Sequence, residues 1–224
     1  MKPRHNGRAT RCGHGCATRC ALTLAQVATF LDSVESDRLA ALYKVAIGLG
    51  LRQGELLALR WSDVNLDAGT LKVRNTRNLI TGELAEPKTD SSRRTLRLGA
   101  ELTAALRSHK ARQSEERLAA GRKWHDEDYV FTSPTGHALD SANVRHSFQA
   151  ALARAELPHQ RFHDMRHACA TLRLEQGEEL AIVSKILGHA SLSTTADIYG
   201  HLTDAMLERA AARTDAIIGR ASTA

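Results

Sequence analysis

Long apolar segments are missing from this sequence of 224 residues. It contains no run of about 18 apolar residues, which is the length that a helix needs to cross a bilayer. Its first residues form neither a hydrophobic segment nor a small-residue cleavage site, so a secretory signal is not supported. We therefore expect a cytoplasmic protein without a membrane partner, with one domain or a domain and an appendage.

Cysteine is also scarce, and three of the four cysteines lie among the first 20 residues. Cys12, Cys16 and Cys20, with His14 between them, offer four potential zinc ligands. Structural zinc sites usually take ligand pairs from two separated segments, whereas these ligands share one short stretch with little fold to close around an ion. We therefore favour no metal and no other cofactor, and we interpret Cys169 as a small buried residue on a helix.

An excess of one charge is absent from most of the chain, although the formal net charge is +6. Five of the 31 basic residues and none of the 25 acidic residues lie in 1–20, so residues 21–224 hold 26 basic and 25 acidic side chains. Nucleic-acid binding must therefore rest on local clusters. Arg93 and Arg94, with Arg97 close by, form one such cluster, and solvated strand residues are the alternative interpretation.

Local patterns divide the sequence into a leader and a domain. Residues 1–20 show neither helical nor strand periodicity, and we interpret them as a disordered basic leader ahead of a domain over 21–224. Thr23 and Gln26 form a capping-box pattern, which predicts that a helix begins at Leu24.

Alternating sequence between the helical stretches predicts strands. Residues 70–74 and 94–98 alternate in character, with glycine and proline turn markers between them. Helical spacing precedes them as far as Gly50, and it returns from Ala100 and again from Ser141. We therefore predict an α+β fold that is mainly α, with one small antiparallel sheet.

A stretch near the C-terminus concentrates side chains that suit phosphate chemistry. His163 and Arg166 are three residues apart on a predicted helix, so they project from one face and can converge on one anion. Gly188 is placed to cap the preceding helix, which would fix the direction of His189. A capping-box-like pair further on predicts a short helix with Tyr199 near its last turn. Taken singly, a surface His/Arg pair or a half-buried phenol is the alternative interpretation.

Two upstream segments complete the set of candidates. Arg52 directly follows the glycine-terminated helix, and Glu55 lies one turn beyond it. We expect Glu55 to orient Arg52 through a charge-assisted bond, with a plain surface carboxylate as the alternative. Lys88 lies in Pro87-Lys88-Thr89, which is typical of a hairpin.

The order Arg, Lys, His-x-x-Arg, His, Tyr resembles the tyrosine recombinase (phage integrase) family over roughly residues 21–218. The resemblance implies a helical integrase-like catalytic domain. It implies that two arginines hold the scissile phosphate, two histidines bond to it or shuttle protons, a lysine is the general acid and a tyrosine is the nucleophile. These residues are Arg52 and Arg166, His163 and His189, Lys88 (with Lys72 as runner-up), and Tyr199.

The resemblance also implies a function and a partner. It points to a site-specific DNA recombinase that cuts and rejoins double-stranded DNA through a 3′-phosphotyrosyl link, as a homotetramer on paired sites and without a metal. Family members usually carry a separate helical domain ahead of this region; its absence here predicts weak binding and weak activity by this chain alone. A catalytically idle DNA-binding remnant and a type IB topoisomerase-like nicking and closing enzyme are the alternatives.

Overall fold

The computed structural model describes residues 22–86, 92–189, 211 and 214, so the predicted leader lies outside the described residues. Within them the chain is mainly helical with small antiparallel sheets, which confirms the predicted fold class. The helices are α1 (Leu24–Ser33), α2 (Ala40–Leu49), α3 (Gln53–Leu57), α4 (Ala100–Ala120), α5 (Ser141–Arg154), α6 (Asp164–Glu175) and α7 (Leu180–Leu187). The strands are β1 (Val64–Asn65), β2 (Thr70–Val73), β3 (Thr76–Arg77), β4 (Leu84–Ala85) and β5 (Arg94–Arg97).

The ends of three helices follow directly from local sequence signals. Thr23 and Gln26 form the predicted capping box at the start of α1, with the Gln26 amide donating to Thr23 Oγ1 at 3.3 Å. Helices α2 and α7 end at Gly50 and Gly188, whose φ angles of 61° and 68° lie in the left-handed region. Glycine adopts this conformation without the steric cost that a Cβ atom brings, so the chain can turn sharply at both points.

The main sheet has three antiparallel strands in the order β1-β2-β5. Leu71 of β2 pairs with Leu96 of β5, and Val73 pairs with Arg94. Because side chains alternate across a strand, Leu96 and Arg94 point to the same face. Leu71, Val73 and Leu96 are buried, so that face is the one that covers the core.

A second sheet was not predicted, since the sequence indicated only one. Strands β3 and β4 form a separate two-stranded ribbon, in which β3 packs against α3. Its turn is closed by Asn78, whose Oδ1 accepts from the amides of Ile80 at 2.9 Å and Thr81 at 3.3 Å. Each strand of the ribbon has two residues, which is too short for alternation to be visible in a sequence.

The core joins α1, α2 and α5 through the few aromatic rings that the chain contains. Phe30 packs edge-to-face on Tyr43 and Phe148, with ring centroids 5.3 and 5.5 Å apart. Helix α6 packs against α2, where the buried Cys169 thiol faces the Gly48 carbonyl at 3.8 Å, as expected for a small buried residue. No helix in the described part of the chain is long and apolar enough to span a membrane.

Candidate active site

Three chain segments that are distant in sequence meet at one place. They are the corner between α2 and α3 with Arg52, the start of α6 with His163 and Arg166, and the end of α7 with His189. Arg52 of the first segment and Arg166 of the second bond to backbone carbonyls of the neighbouring segments, as described below. The structure thus brings together four of the six predicted catalytic residues, while Lys88 and Tyr199 lie outside the described residues.

Arg166 ties two helix ends together. Its side chain projects from α6 into the interior and the residue is only 3% exposed. Nη1 donates to the Gly50 carbonyl at 2.6 Å, and Nη2 donates to the Leu187 carbonyl at 2.8 Å. The last carbonyls of a helix have no intrahelical partner and carry partial negative charge, so a guanidinium is well suited to cap them. The position of Arg166 is therefore fixed by α2 and α7 together.

Arg52 occupies the N-terminal end of α3 and remains partly open to solvent, with 40% of its side chain exposed. Its Nη1 donates to Glu55 Oε1 at 2.8 Å, and its own backbone amide donates to Glu55 Oε2 at 3.0 Å. Nη2 lies 3.4 Å from the Gly188 carbonyl. The guanidinium is thus held at its base by a carboxylate and retains an exposed edge that can contact an anion.

Glu55 joins two arginines rather than one. Its side chain is 2% exposed, and besides Arg52 it accepts from Arg94 Nη2 at 2.9 Å and Nη1 at 3.2 Å. Burial by itself would raise the pKa of this carboxyl, but the bonds and charges of Arg94 and Arg52 outweigh burial and hold the pKa below its ordinary value. Glu55 is therefore ionised and carries the bond to Arg52 that its sequence position suggested.

The structure gives the predicted DNA-contacting pair two different environments. Arg93 has a side chain that is 51% exposed and pairs with Glu86. The side chain of Arg94 is 6% exposed and is turned inward to Glu55 and to the Ile186 carbonyl, to which its Nε donates at 2.7 Å. This geometry agrees with a phosphate contact for Arg93, whereas it favours an internal role for Arg94. The alternation of β5, which places residue 94 on the face of Leu96, is the sequence signal that could have separated the two.

Two histidines of the cluster are electrically neutral at pH 7. Partial desolvation lowers the pKa of His163, which lies at the protein surface, to about 4, with His167 and Arg166 acting in the same direction. Burial also lowers the pKa of His189 to about 4, helped by the positive charges of Arg166 and Arg52. A neutral imidazole can accept a proton on one nitrogen and donate a hydrogen bond from the other. The site therefore combines fixed cations with proton acceptors.

Sequence reasoning missed Asp164, which secures the start of α6. This buried carboxylate accepts from the Arg161 backbone amide at 2.8 Å and from its Nη2 at 2.9 Å. Its position between His163 and the rest of α6 fixes the first turn of the helix, from which Arg166 also projects. No group of three or more His, Cys, Asp or Glu side chains that could hold a metal occurs within residues 22–86 and 92–189.

A basic groove lies beside this cluster on the main sheet. It has a volume of about 510 Å³ and is lined by residues in and next to β2 and β5, including Lys72, Arg74 and Arg93, with Glu86 as the acidic member. Cations that line an open groove suit the phosphate backbone of a nucleic acid. Lys72, which was the predicted alternative to Lys88 as proton donor, is exposed in this groove.

Sequence comparison finds relatives over most of the chain. The phage integrase family matches this chain over residues 21–206. A tyrosine recombinase XerC-like protein of Caldanaerobacter subterraneus subsp. tengcongensis is 37% identical over 185 residues, which cover 76% of this chain and 47% of that protein. The chain spans about half the length of the curated relatives that it matches.

Solved structures agree in fold. The crystal structure of XerA recombinase is 27% identical, with a TM-score of 0.70 over 90% of this chain and 65% of that one. The Tn1549 transposon integrase in complex with transposon right end DNA is 21% identical, with a TM-score of 0.74 over 90% of this chain and 68% of that one. The second likeness is one of fold alone.

Proposed function

Because the chain belongs to the phage integrase family, we propose that it cuts and rejoins double-stranded DNA through a 3′-phosphotyrosyl intermediate. The observation that carries this proposal is the convergence of Arg52, Arg166, His163 and His189 from three separate segments. Residues 21–224 form the catalytic domain in this proposal. Double-stranded DNA is the partner, a tetramer on paired sites is the active assembly, and the cytoplasm is the compartment.

The two arginines stabilise the transition state. When a hydroxyl attacks a phosphodiester, negative charge accumulates on the non-bridging oxygens of the phosphorane. A planar guanidinium can bond two such oxygens at once and stays charged at every physiological pH. Arg52 and Arg166 can therefore neutralise this charge. Arg166 is immobilised by two carbonyls and Arg52 by Glu55, so little reorganisation accompanies the reaction.

Tyr199 is the proposed nucleophile and His163 its proton acceptor. A phenol with a pKa near 10 is about 0.1% ionised at pH 7, so it needs a base as it attacks. Tyr199 Oη bonds to phosphorus while its proton passes to the neutral imidazole of His163, and the bond from phosphorus to the 5′-oxygen breaks. Lys88 gives a proton to the departing 5′-oxygen, and His189 bonds to a non-bridging oxygen. The phosphotyrosyl bond conserves the free energy of the original diester, so a 5′-hydroxyl of another strand can reverse the step.

The test is covalent trapping on a nicked duplex. Cleavage next to the nick releases a short oligonucleotide, so the protein stays linked to DNA and shifts on a denaturing gel. We expect this adduct with the wild-type chain and none with Tyr199→Phe, which keeps the ring and lacks the nucleophilic oxygen. An adduct that forms equally with both proteins, or with neither, contradicts the proposal. Plasmid relaxation without strand exchange would favour the topoisomerase-like alternative.

A further inference from the structure

Arg94 connects two parts of the candidate site, the Glu55 carboxylate and the end of α7. One end of its guanidinium meets both carboxylate oxygens of Glu55, at 2.9 and 3.2 Å. Its Nε donates to the Ile186 carbonyl at 2.7 Å, and Nη1 also donates to the Ser92 carbonyl at 3.1 Å. The buried side chain of a strand residue thereby reaches both the carboxylate that holds Arg52 and the last turn of α7.

We propose that Arg94 is a positioning residue of the strand-cleavage site, which holds Arg52 through Glu55 and His189 through the end of α7, and that it does not contact DNA. This inference rests on the proposed function. It assigns the two neighbouring arginines at the start of β5 different tasks: the exposed Arg93 faces the basic groove, and Arg94, which also lines that groove but has a buried side chain, sets the geometry of the catalytic side chains.

Charge balance explains why Arg52 depends on Arg94. The buried Glu55 carboxylate and two guanidiniums form a group with one net positive charge, and that surplus is available for a phosphate. Without Arg94 the group would be neutral. A carboxylate that is 2% exposed needs a cationic partner, so Glu55 would draw both guanidinium nitrogens of Arg52 to itself. Arg52 would then bond to the scissile phosphate less well.

Arg94 acts on His189 through the end of α7. The Ile186 carbonyl belongs to the last turn of that helix, where carbonyls lack intrahelical partners. The amides of Gly188 and His189 donate back to Lys185 at 3.2 Å and to Ser184 at 3.1 Å, which closes the turn. The guanidinium that bonds the Ile186 carbonyl fixes this turn from the side of the sheet. His189 follows three residues later.

Arg38 provides a matched control. It also bonds a glutamate with two nitrogens, to Glu116 at 2.6 Å for each, and a backbone carbonyl, that of Thr132 at 2.5 Å. Arg38 contacts neither Glu55 nor α7 in these bonds. Arg38→Lys and Arg94→Lys therefore make the same chemical change without altering net charge, and lysine cannot reproduce a planar fork at either position.

The kinetic arm measures adduct formation on the nicked duplex at saturating DNA. We expect Arg94→Lys to slow it on the order of 10²-fold, as for the loss of one preorganised donor, and Arg38→Lys to leave it within about twofold. The salt dependence of DNA affinity should be the same in Glu55→Gln and in Glu55→Gln with Arg94→Gln, because no carboxylate then couples Arg94 to Arg52. If Arg94 itself bonds a DNA phosphate, the slope of log affinity against log salt falls by about one in the double variant, and the inference is overturned. Equal adduct rates for wild type and Arg94→Lys also overturn it.

A structural arm decides the question without activity. Amide hydrogen exchange at Gly188 and His189 should be at least about tenfold faster in Arg94→Lys than in wild type, and unchanged in Arg38→Lys. Unchanged exchange in Arg94→Lys contradicts the inference even if the adduct rate falls. If the wild-type chain forms no adduct, the proposed function fails, whereas this arm still accepts or rejects the positioning role.

Discussion

Two neutral histidines next to two fixed guanidiniums determine what the site can do at the scale of single residues. Burial and nearby positive charge lower the pKa of both His163 and His189 to about 4. A bound phosphate brings negative charge, which favours the protonated form of each imidazole. Proton affinity at the site would therefore rise when a phosphate binds, which agrees with the proposed role of His163 as acceptor of the Tyr199 proton.

The titration of these histidines is a direct prediction. In the free protein the ring signals of His163 and His189 should stay those of a neutral imidazole from pH 7 down to about pH 5, because the pKa lies below its ordinary value. Adding duplex DNA to the Tyr199→Phe protein, which cannot react, should raise both pKa values, because the phosphates bring negative charge close to the rings. Proton NMR of the rings measures both. Titration of either ring near pH 6.5 without DNA would contradict the neutral assignment.

Neutralising Glu55 should destabilise the fold. Glu55→Gln leaves the buried guanidinium of Arg94 without its countercharge, and breaking a buried pair from one side costs about 3 kcal/mol in free energy of unfolding. Urea denaturation at pH 7 measures this. In the double variant Glu55→Gln with Arg94→Gln the two losses should overlap, so that the combined loss falls short of the sum by more than about 1 kcal/mol. Strict additivity would show that the pair is not coupled.

The site residues differ in how far the sequence could place them. His163 and Arg166 share a helix turn, so their proximity follows from spacing. Nothing in the local sequence brings Arg52 to that turn, and the expectation rested on a family resemblance. Arg94 was grouped with Arg93 because both are basic, whereas strand alternation puts it on the core side. A cluster of charged residues in a sequence does not show in which direction each side chain points.

At the scale of elements, backbone signals were more informative than composition. The capping box at Thr23 and the terminal glycines Gly50 and Gly188 lie where the pattern predicted them. These signals succeed because one or two residues decide whether a helix starts or stops. The ribbon of β3 and β4 escaped prediction because it depends on an asparagine turn and on packing beside α3, not on periodicity.

Gly50 should tolerate no side chain. An added Cβ would lie 2.5 Å from Leu187 Cδ2 and 3.2 Å from Cys169 Sγ, at a φ of +61°. Gly50→Ala should therefore lose about 1 kcal/mol to backbone strain and about 2 kcal/mol more to overpacking. Because the Gly50 carbonyl bonds Arg166, adduct formation should fall as well.

Gly69 supplies the comparison for that prediction. Its φ of +59° nearly equals that of Gly50, but an added Cβ would meet only the Leu98 carbonyl, at 3.3 Å. Thermal or urea unfolding of Gly69→Ala should show mainly the strain of about 1 kcal/mol, with adduct formation unchanged. Equal losses of stability in the two variants would mean that the junction of α2, α6 and α7 is not tightly packed.

At the scale of the whole molecule, the site exists only when distant parts of the chain are folded together. Arg166 bonds residues 116 positions upstream and 21 downstream, and Arg94 bonds across 39 and 92 positions. The nearly neutral net charge of residues 21–224 adds little general attraction for DNA. The proposed binding of DNA would therefore depend on the local arrangement of cations, and a loss of global stability would remove that arrangement and the proposed activity together.

Acid should weaken that global stability through His109. This buried histidine of α4 bonds the Val130 carbonyl through Nε2 at 2.7 Å, and Nδ1 faces Arg112 Nη2 at 3.2 Å. An arginine can only donate, so Nδ1 accepts and the ring is neutral. Burial is the main cause that lowers the His109 pKa from 6.5 to about 4.

The direction of the effect follows from proton linkage. As pH falls below 6.5, His109 of the unfolded chain binds a proton while the folded chain does not, so the free energy of unfolding decreases until about pH 4. The shift corresponds to about 3 kcal/mol across that window. Urea denaturation at several pH values should show a steeper loss in wild type than in His109→Gln, whose amide can still donate to the Val130 carbonyl but does not titrate. Parallel curves for the two proteins would place the acid sensitivity elsewhere, for example at His163 and His189 of the candidate active site, whose depressed pKa values act in the same direction.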